Sequence, residues 1–588
     1  MEELLIPNPS KCDVATYNML VEGEEVPITF QLLSLSIHKE ANRVPSAKIV
    51  FRDGDASEQK FEISENELFV PGKKIQINIG RDGTNKQAFK GIITHHSVKV
   101  KQNGHSQLCI ECQDESVKMT IGRHSHYFEK MKDSKVIDEL ITKYSLDADP
   151  EPTGLEHKEL VQHHISDWDF MLLRAEANGM LVFTDDGKIT VAKPKIKGEV
   201  LQVNYGSSIL EFEAEMDARS QFKSVNACSW DYANQALFKA DTGSATFTEL
   251  GNISGSDISE KISPDKYEMH HSGLKLVQEL QDWVDGIMVR SRLSKIRGRV
   301  KCIGFSAIKP GDTLKMTGVG ARFNGKAYVT GVRQEMGNGI WETHIQFGLD
   351  PARYAFHHND VNDATSAGLV GAIHGLQIGK VEKLENDPDG QDRIQVKIPV
   401  IDNTAQGIWT RVASLDAGAD RGAFFRPEIG DEVIVGFIND DPRDAVLLGM
   451  LHSSNKPAPI TAKDVNHEKG FTTRSKMHIS FNDDTKTIKI DTPAGNHVLL
   501  DEKEKKIEVI DQNNNKLVME PAGITMESPA KIDIKAGTTL SITAGTSLSI
   551  GAPSISVKAD ADLGLEGSIV KLKASGMAQI NGSMVTIN

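Results

Sequence analysis

After Phe481 the chain contains no Phe, Tyr or Trp, yet it keeps a short apolar/polar alternation through Lys531–Ile534, Thr539–Ile542 and Ser547–Ile550. Leu540 and Ile542 are answered by Leu548 and Ile550, with Ala544, Gly545 and Thr546 between, so the repeat is about eight residues long. Strands this short cannot build a core within one chain. The missing apolar partner is therefore expected from other copies of the same chain.

A single-chain β-solenoid needs about 18 residues or more per coil to go round all its faces, whereas about eight suffice for one face and one corner. Three chains wound about one axis would supply three faces. They would bury Ile532, Ile534, Leu540, Ile542, Leu548 and Ile550 in a common interior. Each strand edge would then pair with a neighbouring chain, which removes edges that invite aggregation. Threefold symmetry is the expectation. A disordered low-complexity tail would not need phased Ile and Leu. Further upstream, Ile490–Asp491, Leu500–Asp501 and Ile510–Asp511 set a longer period near ten, so the turns shorten toward the C-terminus.

The chain is too long, at 588 residues, for one core, and three to five domains are expected. Residues 26–100 read as strands, with Ile75, Ile77 and Ile79 on one face. Val136, Ile137, Leu140 and Ile141 follow helical spacing, as do Trp168, Met171, Leu172 and Ala175 before Gly179 at a helix end. Ser166 or Asp167 would cap the second helix. Asp185–Lys188 reads as a hairpin turn. Residues 1–360 are thus expected to form an α+β region dominated by strands, and Asn359–Gly371 a linker. Residues 375–455 carry at least four short strands, which suits a small closed barrel of the OB type. Asn386–Gly390 and Asn439–Arg443 are turn sequences that need no ligand. The repeat region is expected over 470–588.

Lys and Arg number 67 against 82 Asp and Glu, a net charge of −15, which disfavours nucleic acid as a partner. Five cysteines (Cys12, Cys109, Cys112, Cys228, Cys302) in so long a chain argue against a disulfide framework and for a reducing cytoplasm. The acidic start, with Pro7 ending its apolar run, lacks the pattern of an export signal. No stretch approaches the ~18 apolar residues of a membrane span.

Catalytic and metal motifs are hard to assemble. Cys109 and Cys112 match C-x-x-C, but no second pair completes a zinc site, and residues three apart on a strand face opposite sides. The doublets His95–His96, His163–His164, His270–His271 and His357–His358, and the pair His124 and His126, have no carboxylate at ligand spacing. Gly251–Gly255 places its serine one position late for a nucleophile elbow. Ile398 stands where an EF-hand loop beginning at Asp387 would need its bidentate acid. No enzyme, cofactor or metal is expected.

Three blocks carry a family resemblance: Ser166–Met180; the barrel run of Asp387–Gly390, Arg393–Val396, Trp409–Arg411, Phe425–Val433, Asp440–Pro442 and Leu448–Gly449; and the alternating tail. Together they resemble the VgrG family, the spike proteins of contractile injection systems, which are similar to a phage tail hub fused to its spike. Glu40–Ala47 and Phe51–Ala56 look more like spikes of extracellular, phage-tail-like particles than like typical type VI secretion spikes.

The resemblance implies a trimeric hub of β-barrel-like domains that meets the inner tube and baseplate, an OB-fold neck, and a triple-stranded intermolecular β-helix. It implies that Val585, Thr586, Ile587 and Asn588 seat a PAAR-type tip protein. It also allows an effector cargo, assembly in a bacterial cytoplasm without a signal peptide, and contact with a target membrane only on firing. No lysozyme-like insertion follows Leu451 and no effector region follows the repeat, so toxicity would belong to a partner. The rival expectations are a spike-borne cell-wall hydrolase and a trimeric surface adhesin.

Overall fold

The computed structural model describes residues 14–81, 83–102, 106–241, 247–358 and 360–587. Cys12, Asn359, Asn588 and the Met1–Pro9 start lie outside the described residues. The chain divides into two units, one of Met1–Ile429 with Ile434–Leu448, the other of Gly430–Val433 with Gly449–Asn588.

The first unit is mainly β. Its largest sheet runs from Ile209–Met216 through Ile296–Ile303, Ile340–Phe347 and Gly325–Gly337 to Leu32–Glu40, Ser46–Arg52, Gln107–Gln113, Thr84–Lys99, Lys74–Arg81 and Ala15–Val21. Gly325–Gly337 is the seam of this ladder. Its far end pairs with Leu32–Glu40, from Gly331 opposite Glu40 to Met336 opposite Leu35. It gives Val329 and Val332 to one apolar core and Met336 to another, so two cores are strung along one ladder. Ile75, Ile77 and Ile79 all point inward, as their alternation requires.

Among the described residues the helices of more than one turn are α1 (Asp133–Thr142), α2 (Asp167–Ala177), α3 (Gly255–Ile262) and α4 (Val277–Ser294), with a single turn at Tyr354–His357. The first two lie where their periodicity puts them, with Val136, Ile137, Leu140 and Ile141 buried on α1. Ser166 is the cap of α2: its Oγ accepts from the Asp169 N–H at 3.0 Å. Asp167 instead turns inward, where its carboxylate accepts from Lys143 Nζ at 2.7 Å and Tyr144 Oη at 2.8 Å. Gly179 ends α2 at φ +66°, and a Cβ there would lie 2.7 Å from the Cα of Gly286 in the middle of α4. Two glycines are thus what lets the end of α2 touch α4 backbone to backbone. The sequence reading had only two helices. α4 keeps helical spacing in its buried Leu280, Val284 and Met288, four residues apart, but carries Gly286, which a helix interior disfavours, at its middle.

The hairpin at Asp185–Lys188 closes as a two-residue turn with Asp186 at φ +54° and Gly187 at φ +88°. Residues 360–371 are more than a tether. Val361 is buried in the core of α1 and α2, and Ser366 Oγ donates to the Asp440 carbonyl at 3.0 Å.

Gln377–Lys383, Ile394–Lys397, Ile408–Val412, Ala445–Met450 and Glu432–Phe437 close a small barrel. Asn386, Asn439 and Asp440 take the positive φ their turns demand. The Asp387 carboxylate accepts from the Gln391 N–H at 2.8 Å and an Arg393 guanidinium N–H at 2.6 Å. These bonds hold its pKa well below the ordinary carboxylate value and occupy it as a turn lock.

In the second unit seven strands of five residues each, from Glu468–Thr472 to Gly523–Glu527, form an antiparallel meander. Five of them begin at 478, 487, 497, 506 and 516, which is the period near ten seen in the sequence. Residues 528–587 form no strand among the described residues. The eight-residue repeat therefore has no ladder partner among the described residues.

Candidate assembly interface

The meander sorts its side chains onto two unlike faces because the strand period is two. On one face, Phe471, Ile479, Ile490, Val498, Val509, Leu517 and Met526 stand directly opposite one another from strand to strand. A second row runs through Phe481, Ile488, Leu500, Ile507, Met519 and Ile524. Apart from Lys469, which stands opposite Phe481 at the end of the second row, both rows are apolar, and much of them is left uncovered by the described residues: Ile490 remains 48% exposed.

The opposite face is held by charge. His478 Nδ1 lies 3.2 Å from Asp491, His497 Nε2 3.0 Å from Glu508, and Lys506 Nζ 2.9 Å from the other Glu508 oxygen. Hydrogen bonds from His497 and Lys506 hold the Glu508 carboxyl below its ordinary value. The two histidine pairs run across strands and Lys506–Glu508 along one strand, an arrangement that suits a solvated surface. The polar face can meet water, whereas the apolar face needs a partner.

A concavity of about 560 Å³ opens where the sheet ends, lined by Ile490, Val498, Val509, Leu517, Met526 and Ile532 among others. It joins the apolar rows to the start of the repeat. Beyond it, Ile532, Ile534, Leu540, Ile542, Leu548 and Ile550 are between 47% and 69% exposed. Within one chain these residues are an uncovered stripe and form no core. Val585, Thr586 and Ile587 are exposed as well, Ile587 at 86%.

An apolar patch that periodicity did not reveal lies on the barrel loop, where Leu415, Phe424 and Ile429 are exposed. Phe424 is 85% exposed, and the short hairpin Ala417–Gly418 with Arg421–Gly422 carries the loop. It was legible only as a hydrophobic cluster among turn residues.

The residues weighed for chemistry are placed as follows. Cys109 and Cys112 are both buried within Gln107–Gln113, and burial pushes the Cys112 thiol far up. His95, His163, His164, His270, His271 and His357 are exposed, while His96 bonds Ser64 Oγ at 2.8 Å. Among the described residues one trio, Glu335, Glu342 and His344, converges at metal-ligand distance. Its carboxylates already have cations: Arg333 lies 3.2 Å from Glu335 and Lys301 2.9 Å from Glu342. A largely buried polar cluster of the first unit centres on Asp133. Asp133 accepts from Arg174 at 2.6 and 2.9 Å and from Asn178 at 2.9 Å, with His157 Nε2 also at 2.9 Å.

No helix among the described residues is long and apolar enough to cross a membrane.

Comparison with known proteins gives two family matches. The family described as the Alg8 N-terminal domain matches residues 11–338, and the type VI secretion system/phage-baseplate injector OB domain matches residues 377–452, which hold the closed barrel. The type VI secretion system spike protein VgrG3 of Vibrio cholerae serotype O1 is 31% identical over 94 residues, covering 15% of this chain and 9% of VgrG3. The chain thus aligns with only a small part of that relative's length. Among solved structures, the prophage MuSo2 43 kDa tail protein from Shewanella oneidensis has a TM-score of 0.45 at 9% identity, over 58% of this chain and 99% of its own. An Escherichia coli component of the type VI secretion system has a TM-score of 0.36 at 12% identity, over 74% of this chain and 99% of its own. The family model over residues 11–338 spans more than half of the 588 residues, so the chain belongs to the Alg8 N-terminal domain family, and its barrel matches the type VI secretion system/phage-baseplate injector OB domain.

Proposed function

We propose that the chain is the homotrimeric central spike of a contractile injection machine, linking the inner tube to the tip and driven through a target envelope when the sheath contracts. The observation that carries this reading is the apolar face of the meander, broken only by Lys469 opposite Phe481, continued by a repeat that has no ladder partner among the described residues. Two copies packed face to face would cover the apolar rows but leave the backbone of residues 528–587 without partners. Buried or closely packed backbone groups need hydrogen bonds, and a prism of three chains gives every strand a neighbour on both sides.

Residues 1–360 form the hub that meets tube and baseplate, 375–455 the neck and 470–588 the spike, with Ile532, Ile534, Leu540, Ile542, Leu548 and Ile550 in the shared core. Val585–Asn588 seat a conical tip of the PAAR type, and an effector cargo is a further partner. The role is mechanical, without catalysis. The protein assembles in a bacterial cytoplasm and leaves it with the particle.

Solution mass is the direct test. A species of three times 64.5 kDa supports the reading, and a monomer with a protease-labile C-terminus overturns it. Cryo-electron microscopy of the particle must place density for this chain between tube and tip. A cell-wall hydrolase would instead turn over peptidoglycan, and a surface adhesin would fractionate with the envelope of the producing cell.

A further inference from the structure

Val225–Asp231 is the central strand of a three-stranded sheet, with Ala236–Asp241 antiparallel on one side and Tyr267–His271 parallel on the other. Val225, Ala227 and Met269 face the inner side with Leu280, Val284 and Met288 of α4, which leaves Asn226, Cys228 and Trp230 on the outer face. The register sets Cys228 opposite Lys239 on one neighbour and His270 on the other. Cys228 Sγ lies 2.9 Å from His270 Nδ1, and His270 Nε2 lies 3.8 Å from a Glu268 carboxylate oxygen.

This is a nucleophile, a base and a group that orients the base, on an open surface. Cys109, Cys112 and Cys302 are buried, with the Cys302 thiol pushed up to about 12 by desolvation, whereas Cys228 is partly exposed. Acyl transfer is not what the geometry favours. The neighbouring backbone N–H groups are committed to the ladders on both sides, so no pair of donors is free to hold an oxyanion. Thiol exchange needs no such donors, only a thiolate, access and a place for the proton.

We propose that Cys228 is a site of S-thiolation by low-molecular-weight disulfides, with His270 as its base. The Cys228 sulfur attacks one sulfur of the disulfide RSSR and its proton passes to His270 Nδ1. The S–S bond breaks, a mixed disulfide Cys228–S–S–R forms, and RS⁻ leaves and takes up the proton as RSH. Glu268 steadies the transient imidazolium, and the Lys239 ammonium adds positive charge beside the sulfur.

The test exposes the full-length protein to oxidised glutathione at neutral pH and follows the mass gain peptide by peptide. The Cys228 peptide should gain one glutathione before those of Cys109, Cys112 and Cys302. His270→Asn keeps a hydrogen-bonding amide near the sulfur but cannot take the proton, and should slow the gain about tenfold. Glu268→Gln should slow it less. Both substitutions lie on the exposed face, and circular dichroism checks that the fold is kept. An unchanged Cys228 rate in His270→Asn, or modification of the buried cysteines first, overturns the assignment.

Discussion

Ile490→Asp tests the assembly interface at one position. Ile490 sits in the middle of an apolar row, opposite Ile479 on one side and Val498 on the other, and about half of its surface is left uncovered by its own chain. Covering the remainder is worth about 1 kcal/mol per chain, at half of the 1.5–3 kcal/mol for full burial of such a side chain. The larger effect is the charge. A carboxylate taken from water without a partner costs several kcal/mol, and threefold symmetry places three of them in one layer. The total is on the order of 10 kcal/mol per trimer, enough to dissociate it at micromolar concentration.

Sedimentation velocity reads the result, with Lys489→Asp as the control one residue away. Lys489 belongs to the charged face, near Asp491 at 3.6 Å, and its substitution should leave the trimer intact. Acid should partly restore the Ile490→Asp assembly. The carboxyl pKa is raised in the assembled state, so assembly is least impaired below the free value of about 3.9 and is lost as pH rises through the raised one. If the two variants sediment alike, the argument from alternating faces is wrong.

Three further outcomes concern the hub. Asp133→Asn should cost about 3 kcal/mol in thermal unfolding, because Arg174 loses its carboxylate partner in a site where both are largely buried. The native Asp133 carboxyl is held below the ordinary range despite burial, by its bonds from His157, Arg174 and Asn178. Its stabilisation is therefore complete above about pH 4 and fades as the pH falls toward its folded value, which a melting series in acid should show. Gly179→Ala should lower stability more than Gly286→Ala, about 2–3 against 1–2 kcal/mol by denaturant titration, since both meet the facing Cα but only Gly179 also has positive φ. Ser166→Ala should cost about 1 kcal/mol by removing the cap of α2, and an unchanged midpoint would contradict that role.

Local rules made α1, α2, the hairpin turn and the barrel strands readable, since each depends on spacing or turn chemistry within a few residues. α4 was not readable in this way. Its buried Leu280, Val284 and Met288 keep a spacing of four, but Gly286 at its middle argues locally against a helix and is there for contact with Gly179 more than a hundred positions earlier. Cys228 and His270 were invisible as a pair for the same reason. They are 42 residues apart, and the parallel register of two strands brings them within 2.9 Å.

The amino-acid sequence alone determined the alternation and period of the C-terminal repeats, because these follow from a side-chain period of two and short turns, and it showed their lack of aromatic residues after Phe481. Only the tertiary structure decided that residues 468–527 make a meander with an apolar face, broken by Lys469, and an opposite face on which ion pairs share the surface with Leu499, Ile510 and Val518, whereas residues 528–587 form no ladder among the described residues. Register produces that difference. A shift of one residue in any pairing would mix the faces, and the observed pairing keeps every Ile, Val, Leu, Met and Phe of both rows on the side that needs a partner.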